Sequence, residues 1–175
     1  PMFLKEIRAK ATGELPPCVS ISTPSYRGTH AEGYWAAIRA IIETLVGAAN
    51  AAAPSVAAAN GSAATAAAPV AILPNIVSPA DLRYLKEVML DFGLPLTLLP
   101  DYSDTLDGPA WMDYQQIPPG GTPVEAIREL GHGRATIEFG ATWDASRTPG
   151  AWLHDRCGVP RYAMAPPVGI RLSDA

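Results

Sequence analysis

Between Val70 and Met164 the chain repeats one pattern, and that pattern narrows the possible folds more than any other feature. A short apolar run is followed by a polar break with a helix-capping residue, then by apolar residues at helical spacing, then by glycine. Val70-Ala71-Ile72-Leu73 suits a buried strand. Ser78 then stands as a helix cap, Pro79 at the first helical position, and Asp81 in the first turn. Leu82, Leu85, Val88, Met89 and Phe92 follow at helical spacing, and Gly93 stands where a left-handed cap belongs. Leu94 to Leu99 reads as a second strand, stopped by Pro100-Asp101.

After a loop the pattern resumes. Thr122-Pro123-Val124-Glu125 has the form of a capping box with proline at its first helical position. Val124, Ile127 and Leu130 form a modest apolar face that ends at Gly131. Ala135-Thr136-Ile137-Glu138-Phe139 alternates as a strand does. Thr148-Pro149 opens a third helix carrying Trp152, Leu153 and Cys157, and Gly158 follows it. Val159 to Met164 leads into a last short strand. Strands separated by helices pair in parallel, and right-handed crossovers place helices on both faces. The expected fold class is therefore α/β, a Rossmann-like open parallel sheet of about four strands with helices on both faces. Sites in such sheets lie beyond the carboxyl ends of the strands. Here those ends are Pro74-Asn75, Pro100 to Ser103, Gly140 to Thr142, and Pro166-Pro167.

The preceding residues use similar elements. Met2 to Lys10 reads as the end of a helix, and Cys18-Val19-Ser20-Ile21-Ser22 as a strand. Thr23-Pro24-Ser25-Tyr26-Arg27-Gly28-Thr29-His30 is a polar loop at the strand's carboxyl end. Gly33 to Leu45 reads as a helix with Tyr34, Ile38, Ile41, Ile42 and Leu45 on one side. From Gly47 to Pro69 the sequence is alanine-rich, broken by Pro54, Gly61 and Pro69, without large side chains to bury. A flexible surface insertion and a single helix are both open for it. The expected organisation is residues 1–46 as the end of a preceding α/β domain with its exit helix, 47–69 as the insertion, and 70–175 as a Rossmann-like domain. The chain begins at Pro1 and ends at Ala175 without an obvious stop signature, so it is expected to be a piece of something longer.

The 175 residues have a formal net charge of −4 and no basic stripe, which argues against a nucleic-acid partner. No apolar run of about 18 residues is present, and the start lacks the basic and apolar regions of a signal peptide, so no membrane association is expected. Cys18 and Cys157 have no zinc spacing and read as reduced thiols in the cytoplasm.

Several groups invite a chemical role and also admit a plain one. The loop 23–30 gathers two hydroxyls near the strand end, Ser25 among them, with a guanidinium and an imidazole; it is either ligand-facing or an ordinary turn. Ser25 lacks the G-x-S-x-G context of a hydrolase nucleophile. Asp101, Asp104 and Asp107 could suggest a metal, but the loop lacks the EF-hand glycine and glutamate, and Asp at turn positions explains them. Gly120-Gly121 precedes a helix start and either holds an anion or makes a tight turn. His132 and His154 are isolated and read as exposed. Trp35, Trp111, Trp143 and Trp152 read as side chains of the core or of an interface.

Five blocks in one order carry a resemblance: STPSYRGTHAEGY (22–34), SPADLRYLKEVMLDFGLPLTLLPDYSDTLDGP (78–109), IPPGGTPVEAIRELG (117–131), RATIEFG (134–140) and GVPRYAMAPPVGIRLSDA (158–175). Together they are similar to nitrogenase component 1, the molybdenum–iron protein subunits and their cofactor-assembly relatives. Thr23-Pro24-Ser25, Gly28-x-His30 and Gly120-Gly121-Thr122 resemble the beta-type branch. Leu99 to Gly108 resembles the NifN-type scaffold subunit, while the Thr-Pro-Ser loop is shared with catalytic beta chains.

The resemblance implies a scaffold on which the iron–molybdenum cofactor is assembled. It would pair with an alpha-like partner in a heterotetramer and hold an iron–sulfur cluster at the subunit interface, its main ligands outside this stretch. It would receive the iron–molybdenum cofactor precursor, completed with help from the ATP-dependent nitrogenase iron protein. The alternative is the beta chain of a catalytic nitrogenase or nitrogenase-like reductase. The resemblance carries Ser25 across as a cluster-facing residue that can ligate an oxidised cluster; it gives His30 a structural role. It implies no catalytic residue in this stretch, which is not expected to be active alone, and Cys18 is expected to be structural.

Overall fold

The computed structural model describes residues 2–10, 12–13, 17–22, 24, 26–52, 68–106, 120–140 and 144–165. The described elements in chain order are α1 (Met2–Lys10), α2 (His30–Ala52), β1 (Val70–Leu73), α3 (Pro79–Asp91), β2 (Leu96–Leu98), α4 (Val124–Arg128) with a 3₁₀ turn at Glu129–His132, β3 (Ala135–Phe139), α5 (Pro149–Cys157) and β4 (Arg161–Met164). The four strands form one sheet in the order β2-β1-β3-β4, and every pair is parallel. The chain steps from β1 outward to β2, then crosses to β3 and β4 on the other side. The order reverses between β1 and β3, the place where crevices open in such sheets.

Alternate residues of β1 face opposite layers. Ala71 and Leu73 join Trp35, Ile38, Ile42, Leu45 and Val46 of α2, with Leu130, Leu153 and Val159. Val70 and Ile72 join Leu82 and Met89 of α3, with Leu98 and Phe139. Both faces of the sheet are therefore covered, which explains the unbroken apolar run of β1. Each such aliphatic side chain taken from water contributes about 1.5–3 kcal/mol.

The helix ends follow the predicted chemistry at α3 and α5. Ser78 caps α3 in a reciprocal box with Asp81. At its other end Gly93 adopts φ 63°, its N–H donates to the Leu90 carbonyl, and the Leu94 N–H donates to Met89. Thr148 caps α5 by accepting from the Ala151 N–H, and Gly158 closes it at φ 72°.

Three expectations are corrected. Residues 17–22 are not a strand: no described strand pairs with them, Ile21 is 41% exposed, and Cys18 is exposed as well. Among the described residues no strand lies beside Val19 and Ile21 to pair with their alternation. The helix predicted over 33–45 runs from His30 to Ala52, because alanine propensity carries it into the alanine-rich segment ahead of Pro54. Residues 53–67 lie outside the described residues. The capping box at Thr122 is absent: α4 has Pro123 at its cap position and no side-chain cap bond. The Thr122 hydroxyl instead donates to the Leu98 carbonyl at 2.6 Å and accepts from the Asp101 N–H at 2.9 Å. Two backbone groups released where β2 ends take the hydroxyl away from the helix.

Glu138 points into the sheet–helix interface and is 1% exposed. It accepts from Arg161 Nε at 2.6 Å, from the Thr148 hydroxyl at 2.9 Å and from the Gly150 N–H at 2.6 Å. One carboxylate thus joins β3, β4 and the first turn of α5. A Cβ on Gly150 would stand 2.6 Å from the Glu138 carboxyl carbon, so only glycine lets the carboxylate reach that amide. Glu138→Ala is expected to cost about 3–5 kcal/mol, because it leaves Arg161 unpaired at a mostly buried site. Gly150→Ala should also destabilise, whereas Gly47→Ala, in α2 with nothing within 4 Å, should be neutral or stabilise by up to about 1 kcal/mol. Urea denaturation of the three variants checks this; equal effects of the two glycine substitutions would contradict it.

Candidate functional site: a cleft at the carboxyl ends of the strands

A cleft of about 960 Å³ opens beyond the carboxyl ends of β1, β2 and β3. Its walls come from the loop before α2, the first turns of α2, the β1–α3 connection, the segment after β2, and Arg147 ahead of α5. This is the edge at which the sheet topology places a site.

The loop before α2 turns sharply, with Tyr26 at φ 62° and Gly28 at φ 79°. Thr29 then caps α2. Its N–H donates to Glu32 Oε2 at 2.5 Å, and its hydroxyl accepts from the Glu32 N–H at 3.2 Å. A Cβ on Gly28 would meet Glu32 Oε2 at 2.6 Å, so the glycine is needed for the box as well as for the turn. The T-x-x-E spacing of Thr29 and Glu32 was a readable signal for this helix start. His30 is the first residue of α2, exposed at the cleft wall. Thr23 and Ser25 lie outside the described residues, while Pro24 and Tyr26 beside Ser25 line the cleft.

The β1–α3 connection is held by two phenols. Asn75 adopts φ 63°, a left-handed conformation that Asn tolerates, and its Oδ1 accepts from the Ile76 N–H. Tyr34 donates to the Asn75 carbonyl at 3.1 Å. The Tyr102 hydroxyl donates to the Val77 carbonyl at 2.7 Å and accepts from the Val77 N–H at 3.1 Å. Burial, and then the neighbouring Tyr102 phenol, push the Tyr34 hydroxyl far above its ordinary range. Tyr34 therefore remains a neutral donor across physiological pH. Gly140, at φ 127°, admits the Asn75 amide, which would lie 2.7 Å from a Cβ there.

The segment after β2 is anchored away from the solvent. Lys86 Nζ lies 2.7 Å from Asp101 Oδ2 and donates to the Ser103 hydroxyl at 2.6 Å. Ser103 in turn donates to Asp101 Oδ1 at 2.7 Å, and its N–H reaches the same oxygen. Burial pushes the Asp101 carboxyl up, but the bonds from Lys86 and Ser103 outweigh it, and the net shift is downward. Asp101 is thus a structural carboxylate. The side chain of Asp104 is 68% exposed, and Asp107 lies outside the described residues. Gly120 and Gly121, at φ 109° and 87°, lie against Thr105 and Asp101. The Thr122 hydroxyl next to this glycine pair is engaged by Leu98 and Asp101.

The remaining candidates stand apart from the cleft lining. His132 and His154 are exposed, and His154 Nδ1 contacts the Val159 carbonyl at 3.2 Å. Trp35 is a core residue at 2% exposure and Trp152 is partly buried against the same core; Trp111 and Trp143 lie outside the described residues. Cys157 is half-buried on α5. Among the described residues no group of three or more His, Cys, Asp or Glu side chains could hold a metal ion. Among them, too, no helix is long and apolar enough to cross a membrane. The loop before α2 and the strand ends are legible in the sequence; Arg147, which directly precedes a helix cap, carries no local signature.

Comparison with known proteins matches the sequence profile of the nitrogenase component 1 type oxidoreductases over residues 1–175. The chain belongs to this family. It is 29% identical over 156 residues to the nitrogenase molybdenum-iron protein beta chain of Clostridium pasteurianum, covering 89% of this chain and 31% of that one. It is 34% identical over 166 residues to the nitrogenase iron-molybdenum cofactor biosynthesis protein NifN of Rippkaea orientalis, covering 94% of this chain and 34% of the relative. The solved structure of nitrogenase Cp1 at pH 6.5 superposes with a TM-score of 0.75 at 26% identity, covering 99% of this chain and 35% of that one. The chain spans about a third of the length of these relatives.

The lowered Asp101 pKa gives a pH prediction. The folded-state pKa lies below the unfolded value of about 4. The stability from this carboxylate is therefore present above that value and is lost as pH falls through the folded-state pKa. Asp101→Asn should destabilise at neutral pH, and the gap between variant and parent should shrink as the pH falls below about 4. Urea denaturation across that range reads it; a gap that stays constant would contradict the assignment.

Proposed function

We propose that this chain is a region of a beta-type nitrogenase component 1 subunit, serving as the scaffold on which the iron–molybdenum cofactor is assembled. The observation that carries the reading is identity of 31% and 34% with NifN proteins of Mesorhizobium japonicum and Rippkaea orientalis, spanning 98% and 94% of this chain. The block Leu99 to Gly108 adds to it by its likeness to scaffold subunits. The second reading is the beta chain of a catalytic nitrogenase, favoured by the match to the Clostridium beta chain and by the likeness to nitrogenase Cp1.

In the proposed assembly the subunit pairs with an alpha-like partner as a heterotetramer in the cytoplasm and works with the ATP-dependent iron protein. An iron–sulfur cluster sits at the subunit interface. Among the described residues no group of three or more His, Cys, Asp or Glu side chains fits a ligand set for such a cluster. Its main ligands are accordingly assigned to the rest of the subunit. Ser25 is proposed as a cluster-facing residue, supported by the position of Pro24 and Tyr26 on the cleft wall. What this chain itself contributes is a rigid carboxyl edge: capped helix starts, phenols that fix the β1–α3 connection, and a lysine-anchored segment after β2.

The deciding experiment uses the full-length subunit, purified anaerobically with its partner. The scaffold reading expects bound iron–sulfur cluster and, with iron protein, ATP, molybdate and homocitrate, a product that activates cofactor-free nitrogenase. Acetylene reduction by the complex itself would move the assignment to the second reading, and absence of both activities would remove both. Ser25→Ala in the same protein should leave the melting temperature of the cluster-free form unchanged, because the loop is polar and peripheral, and should alter the spectrum of the oxidised cluster. A large loss of thermal stability without cluster would count against that role.

A further inference from the structure

We draw no further inference here: the strongest candidate, the sheet face over β3 and β4 where Tyr162 and Met164 lie exposed beside Ile137 and Phe139, carries nothing, because nothing in the structure shows what covers it.

Discussion

The buried carboxylate of Glu138 is the contact on which the carboxyl edge of this domain depends. A single buried charge is costly unless it is paired and hydrogen-bonded. Here three donors meet it: the Arg161 guanidinium, the Thr148 hydroxyl and the Gly150 amide. The first lies on β4 and the other two at the start of α5, so register between strand and helix is set by one group on β3. The amide at the helix start also presents the positive end of the α5 dipole to the carboxylate. Gly150 is the geometric condition for this, since any side chain there would fall on the carboxyl group.

The consequence reaches the cleft. Arg147 immediately precedes the clamped Thr148, so the wall it forms is tied to the interior of the sheet through two residues. The other walls are tied similarly. Tyr34 and Tyr102 hold the turn after β1, and Thr122 and Lys86 hold the segment after β2. Left-handed residues sit at this edge at Tyr26, ahead of α2, and at Asn75 and Gly140, where the chain leaves β1 and β3. The sheet supplies position, and side-chain bonds to loop backbone supply rigidity. That division explains how short loops can present exposed apolar and cationic groups without collapsing on them.

The strand order apart, most of the architecture could be read from the residues, because local signals agreed. Ser78, Pro79, Asp81 and Gly93 bracket α3, and Thr148, Pro149 and Gly158 bracket α5. Where tertiary contacts compete with local chemistry, local signals mislead. Thr122 has the right spacing for a helix cap, but the end of β2 offers its hydroxyl two bonds instead. Glu138 looks like the solvent-facing member of an alternating strand, yet a parallel sheet covered on both sides leaves it no solvent to face. Cys18 to Ser22 has strand-like alternation, and pairing is not a local property. For the site, topology located the edge and the loop before α2; Arg147 reached the cleft only through the clamp, which no local pattern announces.

The most direct test of this account is amide hydrogen exchange at Gly150. Amides in the first turn of a helix ordinarily lack a partner within the helix and exchange readily. If Glu138 organises the edge, the Gly150 N–H should exchange as slowly as the amides of β3. Exchange as fast as that of an exposed loop amide would contradict the carboxylate clamp and the placement of Arg147 that follows from it.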